Sequence, residues 1–211
     1  MLSTPSYLVF SFRLAGFFLV LLLAGCSMFA QKPPALTDAE KKLHWNALQK
    51  QLVAIDDWQF SARVGLNIPR HPGSVSLNWT QQQHAYTLLV QGLFGQAIAE
   101  IKGGRYGVTA NVTGVDKPLT ASYPEQVIQA ITGWSLPVSG LQYWVKGVPV
   151  PDTVANVTLN GQGQAASIFQ QGWHITYTDY RDVDKVVLPY RVTLSRGDIK
   201  VRFFISHWQL S

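Results

Sequence analysis

Cysteine is almost missing from this chain: of 211 residues, only Cys26 carries a thiol. No internal disulfide is possible, so packing alone must hold the domain together. The signatures of chemistry are missing too. There is no Gly-x-Ser-x-Gly elbow, no phosphate-binding loop and no dinucleotide fingerprint. His44, His71, His84, His174 and His207 are scattered, with no pair at metal-ligand spacing. Asp179, Asp182 and Asp184 crowd one stretch. It lacks the glycine and distal glutamate of a calcium loop, so it reads as a solvated turn rather than a cation site. Neither an enzyme nor a metal protein is read from the chain, although carboxylates paired only by folding would escape a search for motifs. Nucleic acid is excluded as a partner, because the 17 lysines and arginines are dispersed and form no recognition motif. Repeats and low-complexity segments are absent. Beyond the N-terminus no apolar run is long enough to cross a membrane.

What is present begins at the N-terminus. Arg13 is the only charge before Cys26, and an apolar run from Leu14 to Leu23 follows it. That run matches the core of a signal peptide and is too short to span a bilayer. It closes as Leu23-Ala24-Gly25-Cys26, and an unpaired cysteine in an exported chain asks for a role. The order resembles the lipobox of bacterial lipoproteins. There a diacylglyceryl group is attached to the thiol, the signal is cut before the cysteine, and the new amine is acylated. The resemblance implies a signal peptide over residues 1–25, lipid attachment at Cys26 and no other cofactor. Aspartate after the cysteine retains such proteins in the inner membrane; Ser27 stands there instead, which implies the outer membrane, facing the periplasm. Each buried methylene contributes ~0.8 kcal/mol, so one acyl chain holds marginally and two or three hold firmly.

Without the first 25 residues, 186 of the 211 remain, enough for one domain with a real core. They keep 16 of the 17 basic side chains against 12 acidic ones, a mild excess suited to anionic head groups or an acidic partner. Seven Trp, ten Phe and eight Tyr favour a β-rich protein with a large apolar lining.

Residues 26–36 read as a tether, stiffened by Lys32-Pro33-Pro34, and residues 37–211 as the folded domain. Thr37 and Glu40 have the spacing of a capping box. Leu43, Ala47, Leu48, Leu52 and Ile55 recur at helical spacing, so a helix is expected over 38–55. From Trp58 the period becomes two: Trp58, Phe60, Ala62, Val64, Leu66 and Ile68 alternate with more polar residues, as in a half-buried strand. Expected turns at Arg70-His71-Pro72-Gly73 and Gln81-Gln82-Gln83 bound strands carrying Val75, Leu77 and Trp79, then Tyr86, Leu88 and Val90. Strands over 96–102 and 105–113 complete an antiparallel meander. The β pattern then breaks. Pro124 opens a short helix over 125–131 closed by Gly133, 134–138 is an extended link, and a second helix covers 140–146. Strands resume over 154–160, 165–171, 173–180, 188–195 and 199–210. In the last of these, Ile199 to Ile205 and the pair Trp208 and Leu210 fall in opposite phases, which requires a bulge or bend near Ser206. This order predicts one strongly curved antiparallel sheet whose apolar concave face is covered by helices. A sandwich or barrel with a filled core is the other architecture the pattern allows.

Gln91-Gly92-Leu93-Phe94-Gly95-Gln96 puts two large apolar residues at the centre of a turn. Burying each is worth roughly 1.5–3 kcal/mol, and exposure forfeits it. Either the turn folds back onto the sheet, or Leu93 and Phe94 form an apolar probe for a membrane or a partner.

Taken in order, further pieces match one family. They are Trp79, Tyr86-Thr87-Leu88, Gly92-Leu93-Phe94-Gly95, Gly133-Trp134-Ser135-Leu136-Pro137-Val138, Leu141, Trp144, Gly147, Gln171-Gly172-Trp173, Tyr177, Leu188-Pro189 and Trp208. Over nearly the whole mature chain this series resembles the LolB family of outer-membrane lipoproteins. The resemblance implies a mainly β fold with α: a single curved antiparallel sheet forming an unclosed β-barrel, with a helical lid over a hydrophobic cavity. It also implies a monomeric, outer-membrane-anchored receptor. Such a receptor takes lipoproteins from the periplasmic carrier LolA, holds their acyl chains in the cavity and inserts them among the outer-membrane phospholipids. Trp79, Tyr86, Leu88, Trp144 and Trp173 are then candidates for the lining, with ordinary core packing an equal reading for each. Leu93 and Phe94 become the candidate membrane insertion or transfer loop. The family tends to show Pro-Leu-Gly there; in this chain Leu93 stands for the Pro and Phe94 for the Leu. Two other classes fit the same residues. A lipid-anchored binding module for another amphiphile, such as a glycolipid or hydrophobic metabolite, would share cavity and anchor. A structural partner of an outer-membrane assembly would have a filled core.

Overall fold

The computed structural model describes residues 35–69 and 72–211. Cys26, the expected signal peptide, nearly all of the tether and the Arg70-His71 pair of the first expected turn lie outside them.

Helix α1 (Asp38–Val53) starts at a formed capping box: the Thr37 hydroxyl accepts from the Glu40 N–H, and the Glu40 carboxylate accepts from the Thr37 N–H at 2.8 Å. Its buried stripe is Trp45, Leu48 and Leu52. Leu43 and Ala47, expected on that stripe, face solvent instead. Leu43 lies about 140° around the helix from Leu48, and the larger Trp45 takes the inward position.

Six strands follow as a meander: β1 (Asp57–Asn67), β2 (Gly73–Gln82), β3 (Ala85–Gln91), β4 (Ala97–Gly104), β5 (Gly107–Val112) and β6 (Leu119–Ala121). Helices α2 (Pro124–Thr132) and α3 (Val138–Trp144) interrupt them. The second meander is β7 (Ala155–Leu159), β8 (Ala165–Gln170), β9 (Trp173–Val183), β10 (Val186–Arg196) and β11 (Ile199–Leu210). All pair antiparallel in one sheet of order β6-β5-β4-β3-β2-β1-β11-β10-β9-β8-β7. The first and last strands meet at its centre. Its two free edges, β6 and β7, flank the helical insertion, so the sheet is an unclosed barrel and the filled sandwich is ruled out. Helix α2 packs on β5 and β6, and α1 on β10.

The bulge required near Ser206 is present. Ser61 pairs with His207 and Ala62 with Ile205, so Ser206 is the extra residue, and both Phe203 and Trp208 point inward. Three expectations are corrected. Strand β2 runs through Gln82, and its turn falls at Gln83-His84. Gln81 faces inward, where its amide accepts from the Trp79 indole N–H at 3.1 Å and donates to the Gln83 carbonyl at 2.8 Å, so a buried polar side chain is satisfied locally. Helix α3 starts at Val138, two residues early. Gly140 sits inside it because the Trp144 ring occupies the space a Cβ would need. Asp179 and Asp182 lie within β9 rather than in a turn, and Asp179 binds Arg181 at 2.7 and 3.0 Å. That bond, with Arg191 beyond it, holds its carboxyl below the usual range.

The inward rows form one core, centred on Trp58, Phe60, Trp79 and Trp208 with ring centroids 5.0–5.9 Å apart. The segment leaving α3 is sunk into it: Val145, Lys146 and Val148 are buried. The Lys146 ammonium donates to the Ile55 carbonyl at 2.8 Å. Burial pushes its pKa down to about 8, against the pull of the Asp56 carboxylate. An unfolded lysine keeps its proton to ~10.4, so the unfolded chain binds more protons between these values and stability rises with pH there. The gain, up to about 3 kcal/mol, is lost again as pH falls through 8. Urea titrations at pH 7.5, 9 and 10 are expected to show the rise in the wild type and its absence in Lys146→Met.

Candidate functional site: an apolar cavity beside an exposed tip

Between sheet and insertion lies a cavity of about 200 Å³. Its floor comes from β1 to β4 and β11, through residues such as Leu66, Val75, Leu77, Leu88, Val90 and Phe203. Its roof is Ile128, Ile131 and Thr132 of α2, Trp134 and Leu136 of the link, and Val138 and Leu141 of α3. Every lining side chain is apolar except Thr132, whose hydroxyl donates to the Ile128 carbonyl at 2.7 Å. A dry apolar cavity of ~150 Å³ already accepts small hydrocarbons, so this one is suited to a stretch of alkyl chain.

A bulge shapes the end of the cavity. Val90 pairs with Ala99 and Gln91 with Ala97, leaving Ile98 as the extra residue. Two successive residues, Ile98 and Ala99, therefore both line the cavity. Immediately beyond is the β3–β4 turn. The Gly92 N–H donates to the Gln96 carbonyl at 2.9 Å and the Gly95 N–H to the Gly92 carbonyl at 3.0 Å. The Gln96 amide oxygen also accepts from the Phe94 N–H at 3.1 Å. A Cβ on Gly92 would displace the end of the Gln96 side chain, which lies over that glycine. Leu93 and Phe94 occupy the two corner positions, 59% and 93% exposed. The turn does not fold back onto the sheet.

The candidate lining residues separate. Trp79 and Leu88 line the cavity. Trp144 and Trp173, expected there, are packed elsewhere. The Trp144 indole N–H donates to Gln170 at 2.7 Å, and Trp173 is buried under the Arg196 guanidinium, 4.5 Å from its ring. Tyr86 borders a second, polar pocket of about 250 Å³, which shares Trp79 and Val138 with the first. Its ring lies over Gly103, where any Cβ would strike it. Burial pushes its pKa up to about 12, helped by the nearby Glu125 carboxylate. The roof residues Ile128 and Ile131 were not singled out from the sequence, and Trp134 and Leu136, noted there as part of the family series, were not read as lining.

Gln170 holds the insertion down. Its oxygen accepts from the Trp144 indole and from the Val150 N–H at 2.8 Å, and its nitrogen donates to the Val150 and Thr153 carbonyls at 3.0 and 3.2 Å. Among the described residues, no three His, Cys, Asp or Glu side chains cluster to hold a metal, and no helix is long and apolar enough to cross a membrane.

A family profile described as "Outer membrane lipoprotein LolB" matches residues 56–208. An "Outer-membrane lipoprotein LolB" of Pseudomonas putida (strain W619) is 36% identical over 193 residues, 92% of this chain and 93% of that protein. One of Pseudomonas syringae pv. syringae is 35% identical over the same shares. Among solved structures, a DUF1329 family protein from Desulfovibrio piger aligns over 83% of this chain and 94% of its own, with a TM-score of 0.55 and 7% identity, a likeness of fold.

Proposed function

The chain belongs to the LolB family of outer membrane lipoproteins, and from that premise we propose that it receives lipoproteins from the periplasmic carrier LolA and inserts them into the outer membrane. In this reading residues 1–25 are a signal peptide and Cys26 carries the acyl anchor. Residues through 36 tether the domain, which works as a monomer in the periplasm. One observation carries the reading: an apolar cavity lies next to an exposed apolar tip, with Val90 and Ile98 lining the cavity at the base of the turn that presents Leu93 and Phe94. Storage and delivery then share one hairpin.

The periplasm offers no ATP, so each hand-off runs downhill. The cavity must hold acyl chains better than the carrier does and less well than the bilayer. Its volume of about 200 Å³ takes part of one chain, not the two or three of a cargo. Loading therefore lifts the half-buried roof, Ile128, Ile131, Trp134 and Leu136. Partial exposure of that roof limits the affinity, which is what a donor to the membrane needs. The transfer makes and breaks no covalent bond. The anchor at Cys26 concentrates the receptor at its target surface.

The test uses soluble protein from Ser27 onward, mixed with carrier loaded with a labelled lipoprotein. Cargo is expected to move to the receptor within the mixing assay and to co-elute with it as a one-to-one complex. Cargo that stays on the carrier while both proteins are folded would overturn the reading and favour a binding module for another amphiphile.

A further inference from the structure

We propose that the pocket beside Tyr86 is a head-group subsite, in which the Tyr86 hydroxyl donates a hydrogen bond to an ester or amide carbonyl of the acylated cysteine of a cargo lipoprotein. The inference rests on the receptor reading above and specifies where the polar end of the ligand goes.

Three observations converge. First, the Tyr86 hydroxyl is buried and has no hydrogen-bond partner among the described residues, and a buried polar group without a partner is uncommon and unfavourable. Second, that side chain lines a polar pocket of about 250 Å³ that adjoins the apolar cavity through Trp79 and Val138. An amphiphile whose chains occupy the cavity has its polar end within reach of this pocket. Third, the ring lies across its cross-strand neighbour Gly103 on β4, where any Cβ would overlap it.

Charges of both signs surround the pocket: Arg105 lines it and Glu125 lies nearby. The Glu125 carboxylate accepts from the Ser139 N–H at 2.8 Å and lies near enough to raise the Tyr86 pKa. The phenol stays protonated at neutral pH, so it is a donor. A carbonyl oxygen is the complement of such a donor. Acyl-glyceryl cysteine supplies such carbonyls where its chains begin.

Tyr86 is near the start of β3 and Gly103 near the end of β4, whereas Leu93 and Phe94 sit at the turn joining these strands at their other ends. A head held at Tyr86 leaves the chains pointing along the hairpin toward the exposed tip. Cargo would then meet the bilayer tails first.

Two water-soluble probes decide the matter: an S-(dioctanoylglyceryl) cysteinyl peptide, and its dioctyl ether analogue, which lacks the ester carbonyls. Wild type is expected to bind the ester about five- to tenfold more tightly than the ether, the ratio one neutral hydrogen bond provides. Tyr86→Phe should abolish that preference and bind the ether as wild type does. Gly103→Ala, which displaces the ring, should lose the preference in the same way. If wild type binds both probes equally, if Tyr86→Phe keeps the preference, or if it weakens both probes alike, the subsite is wrong while the receptor reading stands. If wild type binds neither probe, the receptor reading falls and the subsite with it.

Discussion

Replacing Leu93 and Phe94 together by glutamate is expected to reduce delivery of cargo to liposomes by roughly a hundredfold or more, with acceptance from the carrier unchanged. Phe94 is 93% exposed and Leu93 59%, so the folded domain gains little from either. A bilayer does gain: burying each is worth roughly 1.5–3 kcal/mol, and a carboxylate taken toward the apolar layer is opposed by a further ~2.5–3.5 kcal/mol. A hundredfold loss corresponds to only ~2.7 kcal/mol, so a tip that dips no further than the head-group boundary is enough to produce it. The turn itself should survive. Its bonds run between backbone groups of Gly92, Gly95 and Gln96 and the amide side chains of Gln91 and Gln96, and use no side-chain atom of Leu93 or Phe94. Stability is therefore expected to change by less than about 0.5 kcal/mol, as at other surface sites. The single variants apportion the effect, with Phe94→Glu expected to lose more than Leu93→Glu because the larger ring is the more exposed. Delivery undiminished in the double variant would mean that the tip plays no part in insertion.

That tip was legible in the sequence because it broke a rule: two large apolar residues stood where a turn should be polar. The alternation of β1 and β11 was equally legible, and the phase change at Ser206 located a bulge from one strand alone. The errors have physical causes. Leu119-Thr120-Ala121 is too short to show a period, so β6 went unseen. Gln81 looks like a turn residue, yet its amide is satisfied by Trp79 and Gln83, and the strand continues through it. Gly140 reads as the start of a helix, but in α3 it lies inside, where it makes room for Trp144.

The site was less legible than the fold. Trp79 and Leu88 do line the cavity, but nothing in the pattern separates them from Trp173, which alternates just as well on β9, or from Trp144 in α3, and both of these are packed solid. What distinguishes them is position along the strands. Trp58, Phe60 and Trp208 fill one part of the interior, and the cavity lies beside them, where Trp79, Trp134 and Phe203 are joined by Val, Leu and Ile side chains toward the β3–β4 turn. The contribution of Ile98 comes from a bulge that depends on register between two strands, which a single strand's sequence does not contain.

The lid has one half tied into the core and one half only partly buried, and Gln170→Leu is expected to release the tied half at a loss of about 3–5 kcal/mol of unfolding free energy. Leucine fills much of the glutamine's volume but leaves the Trp144 indole N–H, the Val150 N–H and the Val150 carbonyl without their partners. Each such buried group is unfavourable by about 1–3 kcal/mol, and relaxation of the exposed chain near Thr153 keeps the total below their sum. Against a typical stability of ~5–15 kcal/mol this is a large fraction, and a urea midpoint reads it directly. The contrast with the roof explains why evolution of a receptor would place so many bonds here. Trp144, Val145, Lys146 and Val148 are sunk in the core, while Ile128, Ile131, Trp134 and Leu136 are only half-buried above the cavity. A lid that must lift for two or three acyl chains and then return needs one end that never lets go. The Gln170→Leu protein is accordingly expected to bind an apolar dye at urea concentrations where the wild type does not, as its cavity opens before the sheet unfolds. A variant that unfolds at the wild-type midpoint would show instead that Val145 and Val148 hold the return segment by packing alone.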